Sequence, residues 1–318
     1  MDSAAALLLQ FLELLMALLL APLLTAWITQ CRAWMSNRTA PPLTQFYRQL
    51  AKLFEKEVVL AGNASSFFRA APYVIFSCMA LTATIVPTLS TALPLGPAAD
   101  AIALVGIFAL ALVFIALAGM DIGTAFGSLG ARREMLIGFL AEPALLMVFF
   151  TASLISKSTS LSTIVATLGH GSLTIYPSLA FAGVAFTMVA LAENARIPVD
   201  NPTTHLELTM IHEAMVLEYS GRHLALIEWA AALKLYAYSC LGLALFFPWG
   251  IPQDVTPAGL LIAVPTLILK LGIGGFLTAL IETMSAKLRI FRAPEFLGTA
   301  FMMAVLAMLV HLLLETGK

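Results

Sequence analysis

Long apolar runs recur along this chain, and they decide what it can become. They lie at about 4–29, 72–93, 101–120, 135–155, 175–192, 224–247, 258–281 and 297–314. Each approaches the roughly 20 residues that a helix needs to cross a hydrocarbon core. Inside lipid every backbone N–H and C=O must be satisfied within the chain. The sequence predicts an all-α integral membrane protein with about eight transmembrane helices. The composition agrees: 60% of residues are hydrophobic and 11% charged, against about 25% charged in soluble domains. No internal repeat or separate soluble domain interrupts residues 1–318, which read as a single polytopic domain. Only Asp2 precedes the first run, with no basic region and no small-residue cleavage pattern, so that run is expected to be a retained helix.

Basic residues orient the chain. Arg32, Arg38, Arg48, Lys52, Lys56 and Arg69 follow the first run, and Arg132 and Arg133 the third. Arg196 and Arg222 follow the fifth, and Lys287, Arg289 and Arg292 the seventh. These are thirteen of the 17 basic residues. The opposite side holds Lys157 and Lys318. Both termini are therefore expected outside the cytoplasm. The sparse, scattered positive charge excludes a nucleic-acid binder. Cys31, Cys78 and Cys240 are far apart and form neither a CxxC nor an iron–sulfur signature.

Two connections have character of their own. After Pro41-Pro42, residues Leu43, Phe46, Leu50, Leu53 and Phe54 recur at helical spacing, with Arg48, Lys52, Glu55 and Lys56 on other faces. This predicts an amphipathic helix, lying on the membrane surface or in a solvated loop. The sequence DIGTAFGSLGARRE reads as a Gly-rich connection into the fourth run, and 157–173 as a Ser/Thr-rich loop.

The longest polar interruption is Glu193 to Gly221, with Glu193, Asp200, Glu207, Glu213 and Glu218 beside Arg196, His205 and His212. Asn201 can cap a helix that has Pro202 in its first turn and runs to about Glu218. His212-Glu213 is followed by Val216, so the HExxH zinc pattern fails. Glu13, Glu142, Glu228, Lys234, Lys270 and Glu282 lie within or at the ends of apolar runs. Charges there are expensive and face a bundle interior or a wet cavity. One reading is a proton path, because a carboxyl in low dielectric can load and release a proton. The other is buried pairing, such as Glu228 with Lys234, or snorkelling of Glu13 and Glu282 at helix ends. Pro143 and Pro265 could break their helices. From residues alone, a secondary transporter and a proton-conducting subunit of a larger machine both fit.

ENARIPVD and the later EYSG resemble motifs of the NuoH-type subunit of respiratory complex I, and of its relatives in group 4 Ni-Fe hydrogenases and formate hydrogenlyase. Glu193, Arg196, Pro198, Asp200, Glu207, Glu218, Tyr219, Ser220 and Gly221 carry the likeness. RQLAKLFEKE resembles the family's basic helix after the first span, and GSLGARREMLIGFLAEPALL its entry to the fourth. The resemblance implies a subunit of the inner membrane that joins a peripheral redox arm to antiporter-like membrane subunits. It implies no cofactor in this chain, with a Ni-Fe centre and iron–sulfur clusters in hydrogenase-like large and small subunits and their iron–sulfur partners. It assigns coupling to Glu142, Glu193, Asp200, His205, Glu207, Glu218, Glu228 and Lys234, and partner docking to Arg48, Lys52, Lys56, Arg132, Arg133, Arg196 and Tyr219.

Departures from the complex I pattern weigh against quinone binding. Val199 stands where the pattern has Phe, Thr203 and His205 where it has acids, and Ala40-Pro41-Pro42 where it has Gly-Pro. His205 could carry a proton in place of a carboxylate, or bond a partner subunit. The expectation is a hydrogenase-type coupling subunit. The alternatives are a quinone-site subunit of an NADH:quinone oxidoreductase and a stand-alone ion or solute transporter.

Overall fold

The computed structural model describes residues 3–91, 94–96, 100–170, 177–200, 210–252, 257–286, 288 and 292–316. Its elements are α1 Ser3–Met35, α2 Gln45–Glu55, α3 Ser66–Ile85, α4 Ala101–Asp121, α5 Ala125–Ser156 and α6 Leu161–His170. They continue with α7 Pro177–Glu193, α8 His212–Val216, α9 Gly221–Phe246, α10 Pro257–Met284 and α11 Ala293–Thr316. Among the described residues seven helices are long and apolar enough to cross a membrane. The apolar α7 is shorter, and its 17 residues rise about 25 Å.

The central element is α9, packed against α1, α2, α3 and α7, while α11 lies against α5 and α7. Pro22 in α1 cannot donate to the Leu18 carbonyl four residues back. The Trp229 indole of α9 donates to that carbonyl instead, at 3.2 Å. Next to it the Tyr47 hydroxyl of α2 donates to the Leu19 carbonyl. Trp27 of α1 donates to the Gly272 carbonyl at 2.9 Å and ties α1 to α10. The α2 helix is amphipathic as its spacing predicts: Leu50 is buried, whereas Arg48, Lys52 and Lys56 are exposed.

Three expectations are corrected. All of GSLGARRE is helix, because α5 starts at Ala125, where Thr124 Oγ1 accepts the Gly127 N–H at 3.2 Å. The 157–173 stretch holds α6. Pro143 and Pro265 both lie inside continuous helices.

Glycines bring α4, α5 and α8 together. A Cβ on Gly127 would collide with the Gly119 carbonyl oxygen. One on Gly130 would sit 2.8 Å from both the Ala214 Cβ and the Ile211 carbonyl oxygen. Residues 211–215 are therefore seated on a glycine face of α5. Gly130→Ala is expected to push this segment outward and to cost about 1–3 kcal/mol. A wild-type thermal midpoint for that variant in detergent would show that the segment is not seated there.

Candidate functional site

The ENARIPVD sequence ends α7 in a tight turn. Ala195 has φ 49°, a left-handed conformation that costs a non-glycine residue about 1–2 kcal/mol. The turn is held by Arg196 N–H donating to the Leu191 carbonyl at 2.9 Å, and by Val199 and Asp200 N–H groups donating to the Arg196 carbonyl at 3.0 and 3.1 Å. Asp200 is buried, and its Oδ2 accepts the His212 N–H at 3.4 Å. The Arg196 side chain reaches Glu282 of α10 at 3.0 Å, and Arg32 of α1 reaches the same carboxylate at 3.5 Å. Glu282 is 3% exposed, so it does not snorkel. It joins the ends of α1 and α10 to the turn after α7.

Glu193, at the end of α7, is buried and accepts from the Lys234 ammonium of α9 at 2.7 Å. The Glu228–Lys234 pairing considered from sequence does not form. Glu193 and Lys234 line a cavity of about 80 Å³, together with Glu134 of α5, His212 of α8 and the backbone turn at Asn194–Ala195. Its other walls are apolar and include Met79, Phe108, Leu112 and Ile227. A cavity needs about 10–15 Å³ of this kind of space per water, so several waters fit. Two carboxyls thus line one cavity with one lysine, which is bonded to Glu193. The dry walls strengthen each charge's effect on the others.

Glu134 was not legible as a site residue, because GARRE reads as a loop. Extending the helix back from Glu142 would have brought Glu134 into it, about two turns earlier. Its neighbour Arg133 donates to the Met210 carbonyl at 2.8 Å and fixes the entry to α8.

Burial, and the positive charge of Lys234, push the His212 imidazole down to about 4. The folded state thus favours neutral His212. Above pH about 6.5 both folded and unfolded forms are neutral there, and nothing is lost. As the pH falls from about 6.5 toward 4, the unfolded chain takes up a proton that the folded chain refuses, and stability drops. The wild-type thermal midpoint should therefore fall more between pH 7 and 4.5 than that of His212→Gln. Equal falls would contradict this placement of His212.

The remaining sequence-derived candidates separate into groups. Glu142 and Glu228 are half-buried and do not line the cavity. Glu218 is exposed at the turn after α8. His205 and Glu207 lie outside the described residues, as does the first half of the helix expected from 202 to 218. Within the described part that helix is not continuous, because Met210 and Ile211 are non-helical before the short α8. Arg48, Lys52, Lys56 and Arg132 are exposed, whereas Arg196 is engaged with Glu282.

Tyr219, expected at a docking surface, is buried: its ring stacks on Phe68 at 3.9 Å and its hydroxyl donates to the Phe68 carbonyl at 3.0 Å. Ser220 exchanges hydrogen bonds with both backbone groups of Val59, at 2.8 and 2.7 Å. Gly221 has φ +53°, and a Cβ there would lie 2.9 Å from the Lys56 and Glu57 carbonyl oxygens. The EYSG motif is thus a clamp that holds the chain leaving α2 against the start of α9.

The sequence model of a family described as NADH dehydrogenase matches residues 8–313 of this chain. The chain belongs to this NADH dehydrogenase (NuoH-type) family. The chain is similar to formate hydrogenlyase subunit 4 of Escherichia coli (strain K12), 33% identical over 287 residues, covering 90% of this chain and 92% of that protein. Hydrogenase-4 component C of the same organism is 34% identical over 293 residues, covering 91% of each. Among solved structures, a chain of the membrane-bound sulfane sulfur reductase, an archaeal respiratory membrane complex, superposes with a TM-score of 0.81 at 18% identity. That match covers 96% of this chain and 99% of the other, and it fixes the fold. This NuoH-type chain is a complex I-like membrane subunit.

Proposed function

We propose that this NuoH-type subunit docks the peripheral redox arm of a hydrogenase-4 or formate hydrogenlyase-type complex and couples electron transfer to proton or sodium movement. The observation that carries the reading is the cavity in which Glu134, Glu193, Lys234 and His212 meet. It sits directly behind the turn that Arg196, Asp200 and Glu282 hold. A displacement of that turn by the redox arm would change the Glu193–Lys234 separation and hence where the cavity's proton resides. Half-buried Glu142 and Glu228 and exposed Glu218 extend the path, and His205 and Glu207 are further candidate proton carriers by residue type. Exposed Arg48, Lys52, Lys56 and Arg132 supply positive charge for an acidic partner surface. The Ni-Fe and iron–sulfur centres belong to partner subunits, and antiporter-like subunits receive the coupling laterally in the inner membrane.

The volume argues against a quinone at this point. The cavity's volume of about 80 Å³ is roughly half that of an apolar cavity of about 150 Å³ that holds a benzene ring. Purifying the tagged chain from its membrane in mild detergent tests the assignment. Co-purification of hydrogenase-like large and small subunits, with nickel and iron, is expected. A chain that purifies alone, with undiminished transport of its own, would overturn the reading.

A further inference from the structure

Glu13 takes no part in the cavity described above. It lies on α1, nineteen residues before Arg32, and so about 28 Å along the helix from the Arg32–Glu282 contact. It is 1% exposed and is turned into the bundle. Its Oε1 accepts the Leu89 N–H at 2.8 Å and the Thr88 hydroxyl at 3.2 Å. Both donors follow Ile85, where α3 has ended and the chain runs non-helically past Pro87. Gln10, one turn earlier on α1, donates to the Thr84 carbonyl at 3.5 Å and accepts the Leu95 N–H at 3.3 Å. A bonding role for this broken backbone accounts for Gln10 and for one oxygen of Glu13.

It does not account for the second oxygen. Glu13 Oε2 is buried and meets no donor at full hydrogen-bond geometry among the described residues, although the Thr88 and Ser90 N–H groups also face the carboxylate. An amide or hydroxyl would satisfy the same donors without the cost of an acid in the bundle. Thr88 also lines a small cavity of about 10 Å³ with Cys240 of α9 and Lys270 of α10, close to the space one water needs. Lys270 donates to the Phe247 and Trp249 carbonyls, and the side chains of that turn are exposed. Acid, hydroxyl, water-sized space and surface turn thus follow one another toward the end of the bundle away from Glu193.

We propose that Glu13 is a second proton-exchange site, which reaches the aqueous phase at this end through Thr88 and the adjacent cavity. In the step, the Glu13 carboxylic acid O–H bond breaks and its proton passes to water by way of the Thr88 hydroxyl, which gives up one proton as it gains another. The carboxylate left behind keeps its bonds from Leu89 N–H and Thr88, and the hydrated proton leaves to bulk. The return is the reverse, with no redox partner required. This deepens the ion-coupling reading, but its test does not depend on it.

The test is infrared spectroscopy of the intact complex in lipid, with Glu13→Gln as the reference. The Gln amide can accept the same two hydrogen bonds, which favours retention of the fold. A carboxylic-acid C=O band present in the wild type, absent from Glu13→Gln and shifted on transfer to D2O is expected, with slower exchange in Thr88→Val. A spectrum in which the substitution removes no such band, or removes one that never shifts in D2O, overturns the proposal. Dicyclohexylcarbodiimide provides a check on the wild-type complex alone. It should leave an acylurea on Glu13 in the α1 peptide, and an unmodified Glu13 beside other labelled carboxyls would count against an exchangeable acid. These readouts stand whether or not the complex moves ions, so failure of the coupling reading is seen separately.

Discussion

Replacing Lys234 by methionine is expected to destabilise the bundle by about 3–5 kcal/mol, because it leaves a buried carboxylate without its partner. Lys234 is the ammonium at 2.7 Å from Glu193, and Glu193 Oε1 has no other hydrogen bond among the described residues. Methionine keeps the apolar stem that α9 packs, so the loss isolates the charge. Glu193→Gln should be milder, since Lys234 retains some exposure and can rehydrate. The double variant, Lys234→Met with Glu193→Gln, should recover much of the stability lost in Lys234→Met, because neither charge is then stranded. Thermal midpoints in detergent report all three. A double variant no more stable than Lys234→Met would mean that the pair is not the source of the effect.

The second large effect belongs to the other buried carboxylate. Glu282 has two cations, Arg196 at 3.0 Å and Arg32 at 3.5 Å. Losing either arginine leaves one in place, and each single alanine variant should cost about 1–3 kcal/mol. Losing both leaves a nearly inaccessible charge uncompensated, so the double variant should cost more than the sum of the singles. The consequence reaches beyond stability. The Arg196 side chain pins the turn that carries Glu193 and Asp200, and the Pro198 carbonyl of the same turn accepts the Leu288 N–H at 2.8 Å. The double variant should therefore also release the redox arm on mild detergent extraction. Simple additivity of the three stability changes would show that Arg32 and Arg196 do not share one carboxylate.

Much of this was legible from residue order. Apolar runs near span length gave the helical class, because lipid leaves the backbone few alternatives. The spacing of Leu50 and Phe54 against Arg48 and Lys52 gave α2. The acids of ENARIPVD marked the right region. What did not show were partnerships between residues far apart in sequence. Lys234 meets Glu193 from a different helix, and Glu282 meets an arginine from α1, pairings that only packing creates. Glu134 was hidden because glycines in GSLGARRE suggest a turn, whereas here they let α5 approach α4 and α8 closely. Tyr219 was placed at a docking surface by the family resemblance alone, and residue order does not show that its hydroxyl has a buried carbonyl to bond. Glu13 and Glu282 near helix ends read as snorkelling acids, and both turn inward to donors that the sequence places elsewhere.

The measurement that bears most directly on coupling is ion flux per redox turnover by the complex in proteoliposomes, followed for both H+ and Na+, in wild type and in Glu193→Gln. Glutamine preserves the shape of the cavity and one hydrogen bond from Lys234, and removes the exchangeable proton. The Glu193→Gln complex should assemble and still turn over when the membrane is made leaky, with ion flux per turnover largely lost. An unchanged ratio of flux to turnover in Glu193→Gln would contradict it.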